Sequence, residues 1–132
     1  MGSPGEERIE HLIAAWNAGE LESFFSMLAA DVEVVTDPRW PEPGPYRGAA
    51  ARKFIEDWVE AWDNDQVEIH DLTTVDERVV ARCTWGVKGT ASGAAVTLDL
   101  SFVLGLDDAM DVVSIHVLFE HEQALEVARR AS

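Results

Sequence analysis

The sequence predicts an α+β fold, with N-terminal helices packed on a curved, mostly antiparallel sheet. Three observations predict it. Helical apolar stripes dominate the first half of the chain, with one strand-like run among them. Four strand-like runs follow one another in the second half, separated by turn signals. Strands in a run, with helices mostly ahead of them, are the order of an α+β domain with helices on one face of the sheet, not of alternating βαβ units. A chain of 132 residues, 47% hydrophobic, is long enough for one domain with a real core. No repeat, low-complexity segment or linker divides residues 1–132.

The elements follow in order. "SPGE" at Ser3–Glu6 has the form of a capping box with Pro4 at the first helical position. Ile9, Leu12, Ile13 and Trp16 then mark one helical face, and Gly19 marks the stop. Leu21, Phe24, Phe25 and Leu28 repeat the spacing as a second short helix. "DVEVVT" switches to strand composition. "DPRWPEPGPYRG" holds four prolines and two glycines, which exclude a helix or a central strand, so it reads as a long loop. Its aromatics, Trp40 and Tyr46, need a surface to cover. Ala49 to about Asn64 is the strongest helix, with Phe54, Ile55, Trp58, Val59 and Trp62 on its apolar side. Strands follow at Val67–Val75, Val79–Val87, Val96–Leu106 and Val112–Phe119. They are joined by Asp76–Glu77, a loop through "KGTASG", and "DDAMD". "EHEQALEVARR" closes with a short helix whose arginines suit the negative end of its dipole.

Composition narrows the function. Twenty-five acidic residues against ten basic ones give a formal charge of −15, which repels phosphate backbones and anionic lipid. Nucleic acid and membrane are therefore not expected partners, and no 18-residue apolar run is present. The single cysteine, Cys83, excludes an internal disulfide. With no secretory leader visible, a reducing, cytoplasmic setting is the expectation. No histidine–cysteine spacing suggests a metal site, and no glycine-rich phosphate loop or Ser-His-Asp spacing appears. No metal or cofactor is expected.

The strand "VTLDLSFVLGL" poses the main question. Alternation puts Val96, Leu98, Leu100, Phe102 and Leu104 on one face, and Thr97, Asp99, Ser101 and Val103 on the other. By pattern alone Asp99 belongs to a solvated outer face. Cys83 alternates with Val79, Ala81, Trp85 and Val87 on an apolar face, as a small buried thiol would. Asp37, just before the proline-rich loop, is of the residue type that shapes such a turn by bonding nearby backbone N–H groups. His116, in "SIHVLF", is the attractive acid–base candidate by residue type.

The element order, with "DPRWPEPGPYRG", "LDLSFVLGLDD" and "HVLFEHEQALE", resembles the nuclear transport factor 2-like superfamily. Within it the chain is similar to the SnoaL-like and ketosteroid-isomerase-like branch, over nearly its whole length. The resemblance implies a conical α+β barrel around an apolar cavity, and commonly a homodimer through the outer sheet face. "VTDP" places Asp37 where the isomerases carry their general base. The strand from Leu98 places Asp99 where they carry a protonated Asp that holds the oxyanion, which would turn Asp99 toward the cavity. The same register turns Ile115, Val117 and Phe119 inward and His116 outward. The isomerases' first-helix tyrosine falls at Leu12 or Ile13, so that donor is missing.

The resulting expectation is a small-molecule enzyme, an isomerase or cyclase acting on an apolar carbonyl compound by Asp-based proton transfer. Asp37 and Asp99 would be catalytic. Trp16, Trp40, Tyr46, Trp58, Cys83, Ser101, Ile115 and Phe119 would contact the substrate. The alternative is a non-catalytic ligand-binding or dimerisation module of the same fold, which the missing tyrosine favours. An epoxide hydrolase with an Asp-Arg-Asp set finds Arg82 in "VVARCTWG" but no carboxylate on that strand.

Overall fold

The computed structural model describes residues 3–40, 44–62, 65–88 and 95–130. The loop through "KGTASG" and the end of the long helix at Asn64 fall largely outside these residues. The elements are α1 (Pro4–Asn17), α2 (Leu21–Ser26), β1 (Leu28–Thr36), β2 (Tyr46–Arg47) and α3 (Ala49–Ala61). They continue with β3 (Gln66–Val75), β4 (Arg78–Lys88), β5 (Ala95–Leu106), β6 (Val112–Leu118) and α4 (His121–Arg130).

The local signals act as their chemistry requires. The Ser3 hydroxyl accepts from the Glu6 N–H at 3.2 Å and Pro4 occupies the first turn of α1. Gly19 takes φ +74° just after the helix, a left-handed conformation that costs glycine nothing. Asp76 and Glu77 both adopt positive φ between β3 and β4, the backbone of a two-residue hairpin turn. The Asn17 amide then ties the end of α1 to the edge of the sheet. Its Nδ2 donates to the Val67 carbonyl and its Oδ1 accepts from the Val67 N–H, both at 2.8 Å.

The six strands form one curved, unclosed sheet in the order β2-β1-β6-β5-β4-β3. Every neighbouring pair is antiparallel except β1 and β6, which run parallel. The expected cone is thus an open wrapped sheet, not a closed barrel. Helices complete it: α1 packs against β3 and β4, and α3 against β1 and β2. The proline-rich loop does hold a strand, β2, but it is two residues long and sits at the edge, where missing N–H groups are tolerated.

One expectation fails. The helices are not all on one face. The second buried cluster joins Val80, Val103 and Leu118 of the sheet's outer side to Ala124 and Ala128 of α4. The closing helix therefore covers the convex face while α1, α2 and α3 serve the concave one. Its small alanines, Ala124 and Ala128, are the residues of α4 buried against these strands.

The β5–β6 register slips between Gly105 and Leu106. A Cβ on Gly105 would stand 2.6 Å from Ser114 Oγ and 3.0 Å from Arg78 Nη1, which themselves hydrogen-bond at 3.1 Å. Gly105→Ala should lower unfolding free energy by about 1–2 kcal/mol through this overpacking. Ser114→Ala in the same chain should recover most of the loss, as urea unfolding of the double-mutant cycle would read out.

Candidate functional site

The concave face and its helices enclose a cavity of about 130 Å³. Leu100, Phe102 and Leu104 of β5, with Ile115 and Val117 of β6, form its floor. Leu12, Ile13 and Trp16 of α1 and Phe54, Ile55 and Trp58 of α3 form its walls, with Trp40 from the loop after β1. Strand alternation builds this floor, since every second residue of β5 and β6 points the same way. An apolar cavity of this order has the size of one aromatic ring system.

Trp40 sits at the centre of an aromatic cluster on one side of the cavity. It stacks on Phe119 with ring centroids 5.8 Å apart and planes 13° apart, and lies 5.3 Å from Trp58. The Arg39 guanidinium covers the Phe119 ring at 5.1 Å. Trp58 and Trp85 both give their indole N–H to Asp65 Oδ2, at 3.3 and 2.6 Å.

Asp37 is buried just beyond this cluster, 1% exposed. Its carboxylate accepts four hydrogen bonds. Arg39 supplies Nε at 2.9 Å, Nη2 at 3.0 Å and its backbone N–H at 2.9 Å, and Phe119 supplies its N–H at 3.1 Å. The Arg39 hydrogen bonds hold the carboxyl well below its ordinary pKa, against the opposing effect of burial. A carboxylate so stabilised is a poor proton acceptor, and it is not on the cavity wall. The turn-shaping reading of Asp37 describes the geometry, and its expected place at the cavity does not.

Asp99 is exposed on the outer face. The Thr84 hydroxyl donates to its Oδ1 at 2.9 Å, and His70 Nε2 lies 2.6 Å from the same hydroxyl. The cavity-facing placement implied by the resemblance is therefore corrected. Alternation governs β5, because Leu100 and Phe102 claim the inner face and their neighbours must point away. No oxyanion donor role toward a ligand in the cavity is open to Asp99.

The remaining expectations divide. Trp16, Trp40, Trp58 and Ile115 line the cavity. Tyr46 does not; its ring stacks on Phe54 at 4.7 Å from outside the lining. Phe119 reaches the cavity only through Trp40. Ser101 is buried on the outer side, its hydroxyl 3.1 Å from His121 Nδ1, beside the open polar groove that also holds Asp99. Cys83 is core, 1% exposed, and burial pushes its thiol up to about 12. His116 points outward between inward Ile115 and Val117, and burial lowers its pKa. Among the described residues no group of three His, Cys, Asp or Glu could hold a metal ion, and no helix is long and apolar enough to cross a membrane.

Residue patterns did not reveal Arg39, Thr36 or Asp65. Arg39 sits two residues after Asp37, an acid-then-base spacing across a turn that could have suggested the ion pair. Asp65 lies in the polar stretch "DNDQ" and carried no signal.

Two outcomes follow. Asp37→Asn should cost about 2 kcal/mol at pH 7, since the new amide meets donors with a donor. The folded carboxyl titrates below the unfolded one, so the clamp's stabilisation is complete above about pH 4 and fades as pH falls further. The wild type should lose stability more steeply than Asp37→Asn below pH 4 in denaturant titrations. Cys83 in the folded chain should react with iodoacetamide at pH 8 at least about a hundredfold more slowly than in urea, by mass spectrometry.

The sequence matches the SnoaL-like domain over residues 9–115. Among curated proteins none matches it. Solved structures share the fold at low identity. TerC, co-crystallised with polyporic acid, aligns at TM-score 0.73 and 21% identity over 96% of this chain and 98% of that one. RV0760c from Mycobacterium tuberculosis, in complex with estradiol-17beta-hemisuccinate, aligns at TM-score 0.72 and 13% identity over 88% and 93%. A protein of ketosteroid isomerase-like fold from Catenulispora acidiphila DSM 44928, in complex with trimethylamine, aligns at 0.70 and 15% over 88% and 85%. An open sheet wrapped on its helices around an apolar cavity, and a family match over most of the chain, lead to one assignment: the chain belongs to the SnoaL-like domain family of the nuclear transport factor 2-like superfamily.

Proposed function

We propose that the chain binds a small, largely apolar compound of one or two rings in the cavity between α1, α3 and the concave face of the sheet. It acts as a ligand-binding module rather than through paired carboxylates. The observation that carries this reading is the cavity itself: about 130 Å³, walled by aliphatic and aromatic side chains, with neither Asp37 nor Asp99 on its surface. An isomerase or cyclase reading needs a proton-transferring group within reach of the ligand, and the two expected carboxylates are turned elsewhere. Neighbours of the same fold bound to polyporic acid and to an estradiol derivative support a ligand of this character.

A homodimer through the outer sheet face, which the resemblance implies, would have to form beside α4, because that helix already covers Val80, Val103 and Leu118.

Naphthalene titrated into the protein should bind saturably, followed by tryptophan fluorescence. Leu104→Trp, which fills the cavity, should weaken binding by about tenfold or more while keeping a cooperative thermal transition. Asp99→Ala should bind as the parent does. Absence of saturable binding, or an Asp99→Ala variant as impaired as Leu104→Trp, would defeat the proposal.

A further inference from the structure

The outer side of the sheet carries a second concavity, an open groove of about 470 Å³. His70, Arg82, Asp99, Ser101, Phe119 and His121 help to line it, and none of these six lines the apolar cavity.

Arg82 stands apart from the other arginines of the described residues. Arg8, Arg39, Arg47 and Arg130 pair with carboxylates. Arg52 donates to the Leu28 carbonyl, Arg78 donates to the Ser114 hydroxyl, and Arg129 is engaged as well. The Arg82 guanidinium has no hydrogen bond, ion pair or ring contact with any described residue. In a chain with twenty-five acidic residues and ten basic ones, a cation left over needs a reason.

Carboxylates are close by. Asp71 is the cross-strand partner of Arg82, and Asp99 is its diagonal neighbour, since Arg82 faces Ser101 and Thr84 faces Asp99. Diagonal neighbours stand about 7–8 Å apart, within reach of a long side chain. Both acids are nonetheless engaged elsewhere. Asp71 accepts from the Thr73 hydroxyl at 3.1 Å. Asp99 accepts at Oδ1 from the Thr84 hydroxyl. That hydroxyl has one proton, so having given it to Asp99 it accepts in turn from His70 Nε2–H. The chain of bonds holds the Asp99 carboxylate in place and leaves Oδ2 without a partner among the described residues. One wall thus presents a positioned carboxylate and a free guanidinium with no ion pair between them.

A guanidinium matches a carboxylate with two parallel hydrogen bonds. A simple anion on Arg82 would also meet the repulsion of Asp71 and Asp99, and a simple amine on Asp99 would meet that of Arg82. A molecule carrying both charges satisfies both residues.

We infer that the groove binds a free amino acid as its zwitterion, with the carboxylate on Arg82 and the ammonium on Asp99. Ser101, opposite Arg82, and its hydrogen-bonded neighbour His121 add polar groups on the carboxylate side. This site goes beyond the cavity-binding reading and does not depend on it.

The test compares L-leucine with 4-methylpentanoate, which lacks the ammonium, and with isoamylamine, which lacks the carboxylate. In NMR titrations at pH 7 leucine should bind saturably with a Kd of about 1 mM, and each analogue about tenfold or more weakly. The Arg82 Nε–H resonance should shift with leucine. Both residues are exposed, so Arg82→Gln and Asp99→Asn should keep a cooperative thermal transition. In Arg82→Gln leucine should bind no better than isoamylamine, and in Asp99→Asn no better than 4-methylpentanoate. Absence of saturable leucine binding, an analogue that binds as well as leucine, or a leucine advantage that survives either substitution overturns the inference. Naphthalene binding in the cavity is read separately, so failure here leaves that reading standing.

Discussion

The architecture of the cavity's aromatic side depends on one buried carboxylate. Asp37 directly follows β1 and draws four N–H groups to itself, three from Arg39 and one from Phe119. That single anion ties the end of β1, the start of the following loop and the end of β6 into one knot. Arg39, held by its Nε and Nη2, lies flat over the Phe119 ring, and Phe119 stacks on Trp40. Trp40 in turn meets Phe54 and Trp58 of α3. A carboxylate can be kept this deep only because its lone pairs are met by donors, one of them a cation. Its acid–base chemistry is given up to geometry: the bonds that fix it in place also make it a weak base.

The sheet divides its labour between two faces. Its concave side is apolar and carries the cavity; its convex side carries α4 and a polar strip running through His70, Thr84 and Asp99. Strand alternation makes that division rigid. Turning Asp99 inward would also turn Leu100 and Phe102 outward, and the cavity would lose its floor. The −15 charge is consistent with this arrangement, because acidic residues crowd the exposed positions and stay off the cavity wall.

Most of the fold was legible because it rests on local periodicity. The spacing of Ile9, Leu12, Ile13 and Trp16, the alternation in β4 and β5, and the turn at Asp76–Glu77 are all short-range patterns, and each formed the element it indicated. Trp16 and Trp58 lie on helical stripes of this kind and line the cavity, whereas the inward turn of Ile115 was implied by the family resemblance. What escaped depends on contacts far apart in the chain. The place of α4 on the convex face follows from Ala124 and Ala128 meeting Val103 and Leu118, which no pattern within the helix encodes. Asp65 serves Trp58 and Trp85, and Thr36 lacks a partner; both are properties of three-dimensional surroundings. At Asp99 a register borrowed from relatives competed with the pleat of the strand, and the pleat prevailed.

The parallel pairing of β1 with β6 has a consequence for how the protein comes into being. Val34 lies beside Ile115, and Thr36 beside Val117, so two halves of the cavity floor are separated by some eighty positions of chain. The hairpins β3–β4 and β4–β5 need only near neighbours and are free to form early, during synthesis. β1 cannot take its place between β2 and β6 until β6 has left the ribosome. Until then β1 has only the two residues of β2 to pair with, beside helices that lack a floor to rest on. The cavity is therefore among the last features to assemble, and it exists only in a chain whose early and late segments have met.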